Sequence, residues 1–221
     1  VEENEPATTL SNAEWGFRYS GFKSGWDYSL NYFYSWEDNP LFFSENINNQ
    51  PSVIRRYKRS KMAGGSFSTA IESFVLRGEL AYNMDKYFST TGSSHPEGQV
   101  QKNETKAALG LDYAIRDWTL SGQVFESYIV NYEAGIVNDE FTTLASLLID
   151  VKFFNETLDL KLLNIFGIND SDDLARFSAT YAITDNWKLM GGLSLFSGPN
   201  NSFLGQFDSA DRVEIELTCI F

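Results

Sequence analysis

The chain of 221 residues has one cysteine, Cys219, and one histidine, His95. A single cysteine excludes an internal disulfide framework and any multi-cysteine metal site. Only 5 residues are proline, whereas aromatic residues make up 15% of the chain, which is too much for a disordered protein. Basic residues are also scarce. Their 17 charges against 30 acidic ones leave a net charge of −13, which argues against nucleic acid as a partner.

Long apolar runs are absent as well. A membrane-spanning helix needs about 18–20 consecutive apolar residues, and the most apolar run, residues 144–154, is interrupted by Ser146, Asp150 and Lys152. The mean hydropathy of −0.28 is that of a soluble protein. It does not exclude a membrane β-barrel, whose strands turn only every second residue toward lipid and so dilute the hydropathy.

What the chain does have is alternation of apolar and polar residues from end to end. In residues 26–36 every even position is aromatic or leucine, and the odd positions are mostly polar. This period of two indicates β-strands with one apolar face. It predicts about eleven strands, at residues 13–21, 26–36, 57–70, 74–84, 105–116, 118–130, 141–154, 157–167, 174–184, 187–197 and 210–221.

Short and long connections alternate between these strands. The tight turns are residues 22–25, 71–73, 116–117, 155–156 and 184–186, and the longer, mostly polar stretches are 37–56, 85–104, 131–140, 168–173 and 198–209. Outer-membrane barrels have short periplasmic turns and longer extracellular loops. The pattern predicts an all-β fold, a transmembrane antiparallel up-and-down β-barrel, with residues 1–12 as the tail of an external loop and 13–221 as barrel strands.

The aromatic residues indicate which face meets lipid. Three tryptophans each follow a short turn, and a fourth stands ten residues after the first, about the height of an outer-membrane apolar band. Indole and phenol rings prefer the membrane–water boundary. The expected membrane-interface aromatics are Trp26, Trp36, Trp118, Trp187 and Phe221. The alternative, core residues of a soluble β protein, leaves the repeated position after a turn unexplained.

The polar face of the strands is expected to line a wet lumen. Its charged members are Arg77, Glu79, Asp112, Arg116, Asp159, Lys161, Arg176, Lys188, Arg212, Glu214 and Glu216. Charges of both signs give no strong preference for anions or cations. Glu126 departs from the pattern, because it shares the parity of Trp118 and Val124 and would point at lipid unless a bulge or a rim position relieves it.

The C-terminal VEIELTCIF, alternating and ending in an aromatic, resembles the signal by which outer-membrane barrels are recognised for assembly. The segments EPATTLSNAEWGFRYSGFKSGWDYSLNYFYSWEDNP and FDSADRVEIELTCIF resemble the C-terminal half of a family of larger Gram-negative outer-membrane proteins of unknown function. Members resemble porins and are associated with export of lipids or hydrophobic compounds. The resemblance implies a bacterial outer-membrane location and defines no catalytic residues.

Strand parity adds an expectation about the ends. Eleven strands with the last one ending in the periplasm would put the N-terminus outside, whereas bacterial single-chain barrels have even strand numbers. The first residues, VEENEPATTL, also have no cationic start or apolar core. We therefore expect either a removed signal peptide or a fragment, with an N-terminal barrel half or another subunit as partner.

A catalytic site is not expected. His95 lies in a polar loop beside Ser93, Ser94 and Glu97, and a barrel-embedded hydrolase would need such a base within reach of a nucleophile. A flexible loop is a poor place for that geometry. A solvated histidine is the simpler interpretation.

Two other groups suggest binding rather than catalysis. Asp170, Asp172 and Asp173 could hold calcium through oxygen ligands, although the spacing matches no complete calcium loop and a solvated turn is the simpler interpretation. Arg59 and Lys61, in a basic cluster, share the parity of outward residues and could contact lipopolysaccharide phosphates. A solvated strand end is the alternative.

Three functions follow, in order of preference. The first is an outer-membrane channel or transport barrel passing small or hydrophobic solutes. The second is a non-catalytic structural barrel that scaffolds a periplasmic or cell-surface partner, and the third is the hydrolase. No cofactor is expected, and the expected partners besides protein are outer-membrane lipid and lipopolysaccharide.

Overall fold

The computed structural model describes residues 3–4, 6–47, 50–92 and 94–220. These residues form fourteen strands and two short 3-10 helices, at Leu10–Asn12 and Gly205–Ala210. In this part of the chain no helix has both the length and the apolar character needed to cross a membrane.

Tight turns and loops separate the strands along the chain. They are β1 (Glu3–Asn4), β2 (Trp15–Lys23), β3 (Trp26–Trp36), β4 (Leu41–Ile47), β5 (Gln50–Arg56), β6 (Arg59–Ile71), β7 (Phe74–Ser89), β8 (Gln99–Ile115), β9 (Trp118–Val130), β10 (Phe141–Phe153), β11 (Leu158–Gly167), β12 (Asp172–Ala182), β13 (Trp187–Ser197) and β14 (Arg212–Cys219).

Eleven strands form one sheet in the order β14-β13-β12-β11-β10-β9-β8-β7-β6-β3-β2. Each neighbour in this order is the next strand of the sheet along the chain, so the topology is up-and-down. The remaining strands form a second sheet in the order β1-β5-β4. The all-β antiparallel up-and-down prediction is confirmed, and each of the eleven predicted strands has its counterpart in the large sheet.

Two predicted loops are wrong. Residues 37–56 contain the antiparallel hairpin β4–β5, in which Phe43 pairs with Ile54. Residues 85–104 are mostly strand, because β7 runs on to Ser89 and β8 already begins at Gln99. In both stretches many residues are polar or small, so that the alternation that marks the other strands is weak or out of phase.

The tight turns lie where they were predicted. Ser24 and Gly25 have φ values of 52° and 84°, the left-handed pair that a two-residue hairpin turn matching the strand twist requires. Arg116 has φ 52° and is the first residue of the turn after β8. Arg116 thus lies in the predicted turn at residues 116–117, and its assignment to the lumen stays a prediction.

The chain divides into two compact units. Unit 1 comprises Val1–Phe67, Glu79–Ala107 and Ser127–Phe141, and unit 2 comprises Ser68–Gly78, Ala108–Glu126 and Thr142–Phe221.

In unit 2 the ladder pairs separate an apolar face from a charged face. Directly opposite residues of antiparallel strands share a face. One row across β11 to β14 is Leu162, Phe177, Leu193 and Val213, and their exposures are 40%, 44%, 38% and 75%. The adjacent row on the other face is Lys161, Ser178, Gly192 and Glu214. The large apolar side chains are thus exposed on the face opposite the charges.

In unit 1 the same segregation runs through β2 and β3. Trp15 pairs with Tyr34 and Phe17 with Tyr32, and the ring centroids of Trp15 and Tyr32 are 5.3 Å apart. Trp26, at the start of β3, packs at 5.7 Å against Phe67 of β6. Apart from Phe22 and Phe33, which have the opposite parity, the aromatic residues of β2 and β3 therefore share one face.

Asp85 interrupts the alternation of β7. Asn83 and Lys86 are three residues apart, so a regular strand would turn them to opposite faces, yet both hydrogen-bond the Glu104 carboxylate. Asp85 has φ 57°. Its backbone N–H donates to the Oδ1 of Asn103 and its carboxylate accepts from Lys61, both at 3.0 Å. We interpret Asp85 as a bulge residue that reverses the parity of the rest of β7.

This geometry predicts which substitutions position 85 accepts. Asp85→Val places a β-branched residue at positive φ and should lower the free energy of unfolding by about 1–3 kcal/mol relative to Asp85→Gly. Glycine is the matched control, because both variants lose the contact with Lys61. Urea unfolding of the refolded protein measures the difference, and equal stability of the two variants would contradict the bulge.

Candidate functional site

The charged face of the large sheet is the candidate functional site, and in unit 2 many of its charges are paired. The Lys161 ammonium lies 3.4 Å from the Asp150 carboxylate and 3.2 Å from that of Asp159. Arg77 and Asp112 form an ion pair at 2.8 Å. Each of these cations therefore has a carboxylate partner on a neighbouring strand or on its own strand.

A second group spans three strands. Glu214 of β14 accepts from Nη2 of Arg176 at 3.0 Å, and its carboxylate forms an ion pair with Nε of Arg212 at 2.7 Å. Arg176 lies on β12, with β13 between it and Glu214. It reaches across because the residues of β13 beside it are Ser194 and Gly192, opposite Arg212 and Glu214 respectively. Small residues on the middle strand thus let charges meet across it.

Lys188 and Glu216, which were also predicted to line the lumen, lie beside small or polar residues. Lys188 lies opposite Ala182 and Thr218, and the Glu216 carboxylate accepts from the Thr218 hydroxyl at 2.9 Å. Glu79 of unit 1 is exposed. The structure brings the charges of β11 to β14 onto one face, whereas the assignment of that face to a lumen stays a prediction.

In unit 1 the charged group centres on Glu104, which is only 5% exposed. Its Oε2 accepts from Lys86 at 2.8 Å and from Asn83 at 2.9 Å, and its Oε1 accepts from Ser127 at 3.0 Å. Lys106 lies 3.6 Å away. Sequence reasoning missed this group because it placed residues 85–104 in a loop. The available signal was the even spacing of Lys102, Glu104 and Lys106, which continues β8.

The loop of residues 131–140 packs against this same unit. Ile136 joins Phe88 of β7 and Ile129 of β9 in a small apolar cluster, with Val100 and Tyr132 packed against it. Phe88 lies two residues after Lys86, past the bulge, and Ile129 two residues after Ser127, so both share the parity of the Glu104 partners. The apolar cluster therefore covers the charged side of these strands.

A second loop folds over the charged face of unit 2. We call residues 198–211, which join β13 to β14, the strap. Asp172 of β12 is 2% exposed, and its Oδ2 accepts from the backbone nitrogen of Leu204 at 2.6 Å and of Gly205 at 3.4 Å. Because Asp172 shares the parity of Arg176, the strap lies on the charged side of the sheet.

The predicted calcium ligands are not brought together. Successive residues of a strand point to opposite faces: Asp172 holds the strap, while Asp173 accepts from the Ser197 hydroxyl at 2.5 Å. Among the described residues no group of three or more carboxylate, histidine or cysteine side chains could hold a metal ion. Asp170 precedes β12.

His95 contacts an acid. Its Nε2 lies 2.8 Å from the Glu133 carboxylate, which Lys102 also approaches at 3.3 Å. Burial acts to raise the pKa of Glu133, but the hydrogen bond and charge of Lys102, together with His95, hold that pKa below its usual value. The Glu133 carboxylate is therefore ionised at neutral pH, and the stability that its charge contributes is lost as the pH falls through the lowered pKa. Ser93, one of the proposed nucleophiles, lies outside the described residues.

The interface tryptophans stand where the sequence indicated. Trp26, Trp118 and Trp187 are the first residues of β3, β9 and β13, and all three are exposed. Trp36 ends β3, and its Nε1 donates to the Asn12 carbonyl at 3.0 Å. Phe221 lies outside the described residues. Their contact with a membrane boundary stays a prediction.

The two proposed lipopolysaccharide contacts already have partners. The Arg59 guanidinium stacks 4.1 Å from the Trp36 ring centroid and donates to the Ala13 and Ser11 carbonyls. Lys61 pairs with Asp85 at 3.0 Å. Both cations lie beside the aromatic face of β3, as their parity indicated, but binding of phosphate stays a prediction.

Glu126, the expected exception on the apolar face, accepts from the Thr143 hydroxyl at 2.6 Å. Thr143 also donates its backbone nitrogen to Asn169 at 2.6 Å. The carboxylate is therefore accommodated by a polar group where β10 begins and the loop after β11 approaches.

With this geometry in place, comparison with protein families gives one match, over residues 1–202, to the family described as "Protein of unknown function (DUF1302)". The chain belongs to the DUF1302 family. That description assigns neither an activity nor site residues to its members, and no curated protein matches the chain.

Among solved structures the chain is similar to outer membrane phospholipase A from Escherichia coli, at 12% identity and a TM-score of 0.38, over 93% of this chain and 80% of that one. It is equally similar to the Salmonella typhi outer membrane phospholipase dimer with bound calcium, at 12% identity and 0.38, over 93% and 75%. Similarity at this level supports no conclusion about activity.

The Glu104 group yields a stability prediction. Glu104→Gln keeps the size of the side chain but removes the charge that Lys86 and Lys106 face, and should lower the free energy of unfolding by about 1–3 kcal/mol. Glu79→Gln, an exposed carboxylate of the same unit, is the matched control and should change stability by less than about 0.5 kcal/mol. Urea unfolding compares them. Equal stabilities of the two variants would contradict the role of the Glu104 carboxylate as the common acceptor of its group.

Proposed function

We propose that this chain forms part of the wall of an outer-membrane β-barrel that passes small or hydrophobic solutes. The observation that supports this most directly is the arrangement of unit 2, where a continuous face of large, exposed apolar side chains backs a face of paired charges. The family is of unknown function, so the proposal rests on this geometry.

A sheet in water must bury an apolar face against a second layer. Rows such as Leu162, Phe177, Leu193 and Val213 are exposed instead, and monomeric soluble proteins rarely expose contiguous apolar surface beyond a few hundred Å². Lipid removes this cost, because acyl chains take the place of the missing layer. Tryptophans at the starts of strands fit the boundary of such a layer.

The charged face would then enclose water. Its cations are paired with carboxylates, as in Lys161 with Asp150 and in Arg176 with Glu214. Rings of one sign select ions, so a lumen lined by such pairs would discriminate weakly between anions and cations. The resemblance to proteins associated with lipid or hydrophobic-compound export supports adding hydrophobic solutes to the proposal.

We propose that further strands complete the barrel. An antiparallel sheet of eleven strands cannot close on itself with antiparallel pairing throughout, and an open edge in lipid leaves backbone groups without partners. An N-terminal segment or a second subunit supplying an odd number of strands would satisfy both requirements. We propose no catalytic role for His95, whose Nε2 is engaged by Glu133.

The lipid-facing assignment can be tested with a matched pair of variants. Leu162→Arg puts a charge on the apolar face and should destabilise the protein by about 2–4 kcal/mol in phospholipid vesicles. Thr180→Arg, on the charged face of β12 and opposite Asp159, three residues from Leu162 along β11, should cost much less. Urea unfolding in vesicles compares them. Equal costs, or a protein that folds freely in water without detergent, would defeat the assignment.

Conduction is tested on the full-length gene product in planar bilayers. We expect discrete current steps with weak ion selectivity, because the charges of the lumen face are paired. Heat-modifiable migration on gels confirms that the reconstituted sample is folded. A folded sample that gives no steps, and that copurifies with a stoichiometric partner, would instead favour a structural barrel that scaffolds that partner.

A further inference from the structure

The strap carries an aromatic side chain onto the charged face of unit 2. The ring centroids of Phe207, in the strap, and Phe196, on β13, are 5.6 Å apart. Phe196 lies opposite Leu174 and shares the parity of Ser194, on the charged side. Phe207 remains exposed. An aromatic pair therefore stands on the face that carries the charges, beside Leu174.

Two arginines lie one step along the strands from this aromatic pair. Ser194, two residues before Phe196, is paired with Arg176 on one side and Arg212 on the other. Two residues of a strand span about 7 Å. The arginine side chains are 45% and 59% exposed, so both guanidiniums are accessible from the side of the sheet on which the strap lies.

These guanidiniums have donors to spare. Glu214 engages Nη2 of Arg176 and Nε of Arg212, whereas each guanidinium has five N–H donors in all. Two further acids have other donors: Asp211 accepts from the Phe196 backbone nitrogen at 2.8 Å, and Glu216 accepts from the Thr218 hydroxyl. The Glu214 carboxylate is thus shared by Arg176 and Arg212.

We propose that Arg176, Arg212, Phe196 and Phe207 form a binding subsite for amphipathic organic anions, small molecules with a carboxylate beside an apolar group. The guanidiniums would form charge-assisted hydrogen bonds with the carboxylate, and the rings would cover the apolar group. The subsite deepens the proposed function and rests on it, because it assumes that the charged face is open to solutes.

Asp172 is the positioning residue of this subsite. Its buried carboxylate holds Leu204 and Gly205, three and two residues before Phe207. A Cβ at Gly198 would collide with the Asp172 side chain, so the start of the strap packs closely against it as well. Asp173, on the opposite face of β12, provides a matched control.

The test measures binding of 3-phenylpropionate to the full-length protein in phosphatidylcholine nanodiscs by isothermal titration calorimetry. The neutral 3-phenylpropan-1-ol and the cationic 3-phenylpropylamine have the same apolar group and should bind at least about tenfold more weakly, because they lack the charged acceptor. The double variant Arg176→Gln/Arg212→Gln should weaken binding of the anion about tenfold or more, and Phe207→Ala should weaken it as well.

Lys161→Gln is the control on the same face, since that cation is held by two carboxylates, and it should leave the affinity unchanged. Asp172→Ala should weaken binding and Asp173→Ala should not. If gel migration shows that the double variant is misfolded, Arg212→Gln alone, at the more exposed arginine, replaces it.

Equal binding of 3-phenylpropionate and the alcohol, or unchanged affinity in the arginine variants, would overturn the subsite. If the protein binds 3-phenylpropionate but does not conduct, the channel is rejected and the subsite is kept. If it conducts but does not bind 3-phenylpropionate, the subsite is rejected and the channel is kept.

Discussion

Successive side chains of a β-strand point to opposite faces, and directly paired residues of neighbouring strands share a face. In unit 2 this constraint acts on every ladder at once, so that one leucine or phenylalanine row and one charged row run across β11 to β14. A shift of one residue in any strand would move its charges to the apolar face. The register therefore decides what each face can contact.

On the charged face, charges meet between strands as well as along them. Arg176 reaches Glu214 across Ser194 and Gly192, and Glu104 collects donors from β7 and β9. In each unit a loop also lies against this face. Ile136 brings the loop of residues 131–140 onto apolar neighbours, and Asp172 holds the strap through backbone nitrogens.

The eleven strands of the large sheet were predictable because period two is a local signal that needs no knowledge of partners. The same signal failed around Asp85. There a residue at φ 57° reverses the parity, so the apolar and polar positions of β7 change places and the strand looks like a loop. The β4–β5 hairpin was missed because its strands are short and rich in polar residues, and neither face shows a continuous apolar row.

The sequence by itself determined which residues share a face, since alternation follows from backbone geometry alone, and it thereby determined the antiparallel, up-and-down character of the sheet and the place of the tight turns. Only the tertiary structure decided which charges are paired, because the partners are distant along the chain: Arg77 and Asp112 are 35 residues apart, and Arg176 and Glu214 are 38. It also decided that β12 begins at Asp172, so that Asp172 and Asp173, which were predicted to lie in a loop, serve opposite faces. A pairing across strands depends on register and on the size of the residue between, and neither is visible in a local pattern.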